Sequence, residues 1–125
     1  MDENKTILVV EDEESLRKAL VSKLGKEGFS VLEAANGEAG LKVALKEQPD
    51  VLLVDIVMPK VDGMAMIKQL REDEWGQDAR VILLTNLSEP EKVAEAMQYR
   101  VYDFLVKANW KIEDVVKKVR EKLGD

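Results

Sequence analysis

A chain of 125 residues, 46% hydrophobic and 35% charged, has the length and balance of one globular domain, here residues 1–125, and is neither disordered nor collagenous in composition. Cysteine and histidine are both absent, which excludes disulfides, thiolate and imidazole metal sites, Ser-His or Cys-His catalysis, and a phosphohistidine on this chain. The net charge of −6 is poor for direct nucleic-acid binding, Met1 to Lys5 lack the features of a signal peptide, and no apolar run nears the about 20 residues that span a bilayer, so a cytoplasmic protein is expected.

Ile7-Leu8-Val9-Val10 is too short for a helix and β-branched enough for a buried strand. Leu16, Ala19, Leu20 and Leu24 recur at helical spacing and stop near Gly25 and Gly28. Ser30 to Ala34 predicts a weaker strand carrying Glu33, as an edge strand does. Asn36-Gly37 opens a second helix with Gly40, Leu41 and Ala44 facing inward, closing at Pro49. Gly40 costs about 1 kcal/mol relative to Ala in a helix, which a close helix–sheet contact would explain. Val51 to Val54 is the third strand, and Met66, Ile67 and Leu70 mark the third helix. Val81 to Leu84 is the fourth strand, and Pro90 suits the first turn of a fourth helix carrying Val93, Ala96 and Met97 inward. Phe104 to Val106 is the fifth strand.

The last helix has an apolar stripe of Ile112, Val115, Val116, Val119 and Leu123. Its Lys117, Lys118, Arg120 and Lys122 read as a solvated face rather than a nucleic-acid site. Met58, Met64, Met66 and Met97 read as core filling. Trp75 and Trp110 read as surface residues, with Trp110 the candidate for an interaction hot spot.

Alternating strands and helices with almost continuously apolar strands predict an α/β fold, a doubly wound parallel sheet with helices on both faces. In such sheets ligands bind beyond the carboxyl ends of the strands. There the first strand delivers Glu11-Asp12-Glu13-Glu14, the third Asp55, the fourth Thr85 and the fifth Lys107. Carboxylates held a few ångströms apart repel one another and recruit a cation. An oxygen-only donor set favours a hard ion, and Mg²⁺ fits best. Asp55 can then act as a nucleophile toward phosphorus, with Thr85 and Lys107 stabilising the phosphoryl oxygens. Singly, each has a bland explanation: acidic residues suit a helix N-terminus, Asp62-Gly63 is a common turn pair, and a threonine or lysine at a strand end is ordinary.

Together, Glu11-Asp12, the run Asp55-Ile56-Val57-Met58-Pro59-Lys60-Val61-Asp62-Gly63, Thr85 and Lys107 make the chain resemble a response-regulator receiver domain, from Thr6 to Leu123. The resemblance implies a flavodoxin-like five-stranded sheet in the order 2-1-3-4-5 and phosphorylation at Asp55. It implies Mg²⁺ held by Asp12, Asp55 and the carbonyl of Val57, with Glu11 acting through water. Thr85 and Lys107 would contact the phosphoryl group. Thr85 and Phe104 would form the switch that changes the surface of helix four, strand five and helix five. The partners implied are a sensor histidine kinase or phosphotransfer protein and a downstream protein or output domain, with no membrane. Such a domain is not an enzyme for a separate substrate; it catalyses only its own phosphorylation and slow dephosphorylation.

Four positions depart from the family pattern: Ala108 stands where a cis-proline usually follows the lysine, Asn86 follows Thr85, Arg100 replaces a common glycine, and Phe104 lacks a hydroxyl. In receivers the side chains two beyond the phosphoacceptor and two beyond the threonine flank the path of the attacking water. Here they are Val57 and Leu87, both apolar, so the resemblance implies slow self-dephosphorylation. The competing functions are a degenerate receiver that binds partners without phosphorylation, an aspartate-nucleophile phosphatase, and a flavin-binding protein. The phosphatase is disfavoured because Val57, two past Asp55, offers no acid to a leaving group. A flavin's phosphate would be repelled by Glu11 to Glu14.

Overall fold

Five short apolar runs become five parallel strands in the computed structural model, which describes residues 5–56, 63–85, 90–106 and 111–124. In chain order the elements are β1 (Thr6–Val10), α1 (Glu14–Lys26), β2 (Ser30–Ala34), α2 (Gly37–Glu47), β3 (Val51–Asp55), α3 (Gly63–Glu72), β4 (Val81–Thr85), α4 (Pro90–Gln98), β5 (Asp103–Val106) and α5 (Ile112–Leu123). A short 3-10 turn, Gly76–Asp78, follows α3. The strands lie in the order β2-β1-β3-β4-β5 with every neighbouring pair parallel, the doubly wound arrangement expected. No helix among the described residues is long and apolar enough to cross a membrane.

Period-two alternation sends each strand's side chains to two separate cores. Leu8, Val10, Leu52, Val54 and Leu83 pack with Ala44, Met66, Ile67, Leu70 and Ala96 beneath α2, α3 and α4. Ile7, Val9, Leu53, Ile82 and Leu84 pack with Leu20 and Leu24 of α1 and Val115 and Val119 of α5. Each fully buried aliphatic side chain contributes roughly 1.5–3 kcal/mol, so strands buried on both faces, as β3 and β4 are throughout, anchor the fold. The edge strand β2 exposes Glu33, as its sequence implied.

Local chemistry sets the helices. The Asn36 side chain accepts a hydrogen bond from the Ala39 N–H at 2.8 Å and caps α2. A β-carbon on Gly40 would lie 2.8 Å from Val10 Cγ2 and 3.2 Å from Met66 Sδ, so the glycine marks the expected close approach of helix to sheet. At the start of α5, the Asp114 carboxylate accepts from the Lys111 N–H at 2.8 Å.

Three expectations need correction. Ala19 is exposed: the apolar stripe of α1 runs through Leu20 and Leu24 and leans toward half-buried Leu16 and Val21, which turns position 19 outward. Met97 is 47% exposed, because α4 buries a stripe centred on Ala96 and the next residue is rotated about 100° toward solvent. Met64 and Met66 are core residues, as expected. Trp75 is half-buried against the α3-side core rather than a surface residue.

The basic side chains of α5 are largely ion-paired within the fold. Lys122 reaches Asp103 at 2.6 Å, Lys118 reaches the same carboxylate at 3.9 Å, and Arg120 pairs with Glu27 at 2.9 Å while lying over the Phe29 ring. Arg100, at the family's glycine position, has φ +63° just past α4, a left-handed conformation that glycine adopts without strain.

Candidate functional site

The register of the sheet brings the acidic residues together. Val10 lies beside Val54 in the β1–β3 ladder, so Glu11 and Asp55 leave adjacent strands at the same level. The Glu11 N–H continues the ladder to Ala34 O at 3.1 Å, and the Ile56 N–H continues it to Leu84 O at 3.0 Å. These bonds hold the backbone on both sides of the site.

One carboxylate oxygen each from Glu11, Asp12 and Asp55 lies within 4.8 Å of the other two. Glu11 and Asp55 are buried and Asp12 is exposed, which leaves the cluster open on one side. Two ionised carboxylates at that separation repel by about 3 kcal/mol at an effective dielectric constant of about 20. A divalent cation shared among them removes the repulsion, and three hard oxygen donors suit Mg²⁺.

Neighbouring groups fix the cluster's shape. The Glu11 carboxylate accepts from the Glu13 N–H at 3.0 Å, which folds it over the turn entering α1. Arg17 donates through Nη1 to the Glu11 carbonyl at 3.0 Å and through Nε to Glu33 at 2.9 Å, tying the acidic turn after β1 to β2. The Glu33 carboxyl is held below its ordinary range, chiefly by the Arg17 hydrogen bond and next by Lys18, partly opposed by burial. Arg17 was not a predicted site residue; a cation in the first turns of an exposed helix face looks the same in sequence whether or not it clamps a carbonyl.

Gly63 opens α3 directly against the end of β3. A β-carbon there would overlap the carbonyl oxygen of Asp55 and lie 3.0 Å from Ile56 Cα. The glycine of the Asp-Gly pair therefore does more than turn the chain: it lets α3 seat on the end of β3.

Thr85 ends β4 and is 2% exposed. It falls two residues past Leu83, whose register partner on β5 is Phe104, while Val106 is the partner of Thr85 itself. Thr85 and half-buried Phe104 thus belong to the same face of the sheet, the face covered by α3 and α4. Lys107, Val57, the Met58–Asp62 part of the motif, Asn86, Leu87, Ala108 and Trp110 lie outside the described residues.

Similar proteins agree with this geometry. The response regulator receiver domain family matches residues 7–120. The probable transcriptional regulator ycf27 of Guillardia theta is 34% identical over 107 residues, 86% of this chain and 41% of that protein. The alkaline phosphatase synthesis transcriptional regulatory protein PhoP of Bacillus subtilis is 45% identical over 71 residues, 57% of this chain and 30% of its own length. The chain thus spans less than half of these curated relatives. Among solved structures, the chemotaxis protein CheY4 of Vibrio cholerae superposes with a TM-score of 0.88 at 28% identity, covering 95% of this chain and 98% of that one. The chain belongs to the response regulator receiver domain family of two-component signalling.

Proposed function

We propose that this domain accepts a phosphoryl group on Asp55 from a histidine kinase or phosphotransfer protein and reports it by changing what its surface binds. The observation that carries this reading is the meeting of Glu11, Asp12 and Asp55 oxygens within 4.8 Å, with buried Thr85 one residue past Leu84, the register partner of Asp55 on the neighbouring strand. A carboxylate oxygen of Asp55 attacks phosphorus as the bond from phosphorus to the donor's imidazole nitrogen breaks, and the departing imidazole takes a proton from solvent. Glu11, Asp12, Asp55 and the Val57 carbonyl would hold Mg²⁺, which supplies charge neutralisation at the transferring phosphoryl group when bound.

Thr85 and Lys107 are the groups assigned to the phosphoryl oxygens, one by hydrogen bond and one by charge. Movement of Thr85 toward the phosphoryl group would vacate space on the face it shares with Phe104, and the ring can turn into it by packing alone. The surface formed by α4, β5 and α5 would then favour a different partner, either a downstream protein or an output domain. The expectation of no direct nucleic-acid contact concerns these residues only, since the relatives named above are regulators of transcription. The domain would act where the kinase presents its phosphoryl group, in the cytoplasm, and would turn over no substrate besides itself.

Acetyl phosphate with Mg²⁺ tests the reading. The wild type is expected to gain one phosphoryl group that Asp55→Asn does not gain. No label on the wild type would make the domain a degenerate receiver, binding its partners without phosphorylation.

A further inference from the structure

At the opposite edge of the sheet, where β4 and β5 begin, basic side chains gather in a chain that is otherwise acidic. Arg71, Arg80, Arg100 and Lys122, with Asp78 and Tyr102, line a cavity of about 260 Å³. Lys122 is neutralised by Asp103 at 2.6 Å, but among the described residues neither Arg80 nor Arg100 forms an ion pair.

Two features of this cavity carry a cost in free energy. Arg100 adopts a left-handed backbone where glycine would be unstrained. The half-buried Arg71 guanidinium is made easier to deprotonate by burial first and by the charge of Arg100 second, partly opposed by Asp78 and Tyr102. Backbone bonds nevertheless hold it in place. Arg71 donates to Tyr99 O at 2.8 Å, Gly76 O at 2.7 Å, Ala79 O at 2.8 Å, and Gln77 O and Arg100 O at 3.3 Å, joining the end of α3, the 3-10 turn and the α4–β5 connection. Its donors are engaged by backbone, so it offers an anion its charge while Arg80 and Arg100 offer N–H groups. Arg100 donates to Gln77 O at 3.0 Å. The walls are therefore built in advance, with two like charges fixed side by side.

We propose that this cavity binds a small anion of the phosphate class, gripped by Arg100 and Arg80 against the fixed guanidinium of Arg71. Planar guanidiniums present paired donors that match phosphate oxygens, and an anion relieves their mutual repulsion. The cavity is smaller than the about 300–1,000 Å³ of drug-sized ligand pockets, so phosphate, pyrophosphate or the phosphate end of a nucleotide fits it better than an extended polyanion. The cavity lies at the amino ends of the strands, whereas Asp55 lies at the carboxyl end of β3, so the two sites share no residue.

The test is titration of the ¹⁵N-labelled full chain at fixed ionic strength, with a chelator present so that the acidic cluster cannot recruit phosphate through a metal. The probes are inorganic phosphate, pyrophosphate and adenosine monophosphate. Saturable shifts are expected at the amides of residues 77–81 and 100–103. Arg100→Gly, which relaxes the backbone, and Arg80→Gln should each weaken pyrophosphate about tenfold, the loss expected for one charge-assisted contact. Tighter binding of the nucleotide than of inorganic phosphate, lost in Tyr102→Ala, assigns a nucleotide; equal binding assigns the free anion. Shifts that do not saturate by tens of millimolar, or that are unchanged in both arginine variants, overturn the proposal.

Discussion

The carbonyl oxygen of Asp55 occupies the space that a β-carbon at Gly63 would need. Backbone cannot move aside as a side chain can, so any residue other than glycine must push α3 off the end of β3. Gly63→Ala is expected to destabilise the domain by about 1–3 kcal/mol, the usual scale of overpacking. It should also slow phosphoryl uptake, since the displaced strand end carries Asp55, the proposed acceptor. Denaturant midpoints and acetyl phosphate labelling check both effects; wild-type values for the two would remove the steric role.

Because the three clustered carboxylates repel, a cation that joins them binds the folded state in preference to the unfolded one. The melting temperature is expected to rise with Mg²⁺, by the equivalent of about 2.7 kcal/mol at a hundred times the dissociation constant. Asp12→Asn should melt higher than the wild type without metal and lose most of the Mg²⁺-dependent rise. A thermal melt indifferent to Mg²⁺ in the wild type would count against the metal site.

Glu33 ties β2 to α1 through Arg17 and Lys18. Its folded-state pKa lies below the ordinary 4.5, so its stabilising contribution is complete above that value and disappears as the pH falls through the lower folded-state value. Glu33→Gln is therefore expected to cost about 0.5 kcal/mol near neutral pH, the scale of a solvent-accessible ion pair. The difference from wild type should shrink at acidic pH and at high salt. Urea melts across pH measure it; a difference that grows on acidification contradicts the assignment.

Neither Val57 nor Leu87 can orient a water molecule for attack on a phosphorylated Asp55. The double variant Val57→Asn with Leu87→Glu supplies polar groups at those two places and is expected to shorten the phosphoryl lifetime by about tenfold or more, the lower part of the range for general acid–base help. Decay of the labelled protein, followed by intact mass, reports the lifetime. Equal lifetimes would show that these positions do not govern the water.

Much of this arrangement is legible in sequence because the strands are buried on both faces and announce themselves as short apolar runs. Once β1 and β3 are taken as parallel neighbours, Glu11-Asp12 and Asp55 must meet, although more than forty positions separate them. Helix faces are less legible. Ala19 and Met97 each satisfy an apolar spacing, yet the helix axis leans so that Leu20 and Leu24 in α1 and Ala96 in α4 take the buried places. Nor does spacing reveal Arg17 gripping the Glu11 carbonyl or Arg71 gripping five carbonyls, because an arginine bonded to backbone and one dissolved in water have the same sequence signature. The 3-10 turn at Gly76–Asp78 escaped for a related reason: Gly76 is buried against Leu70, a contact between backbones that no side-chain pattern encodes.

Which carboxylate carries the phosphoryl group is decided by trapping. After incubation with acetyl phosphate and Mg²⁺, borohydride reduces an acyl phosphate to an alcohol, and peptide mass spectrometry locates the altered residue. The expected result is a single reduced position at Asp55, absent when a chelator removes the metal. Reduction at Asp12 or Glu11 instead, or a wild type that is never reduced, would contradict the assignment of Asp55 as phosphoacceptor.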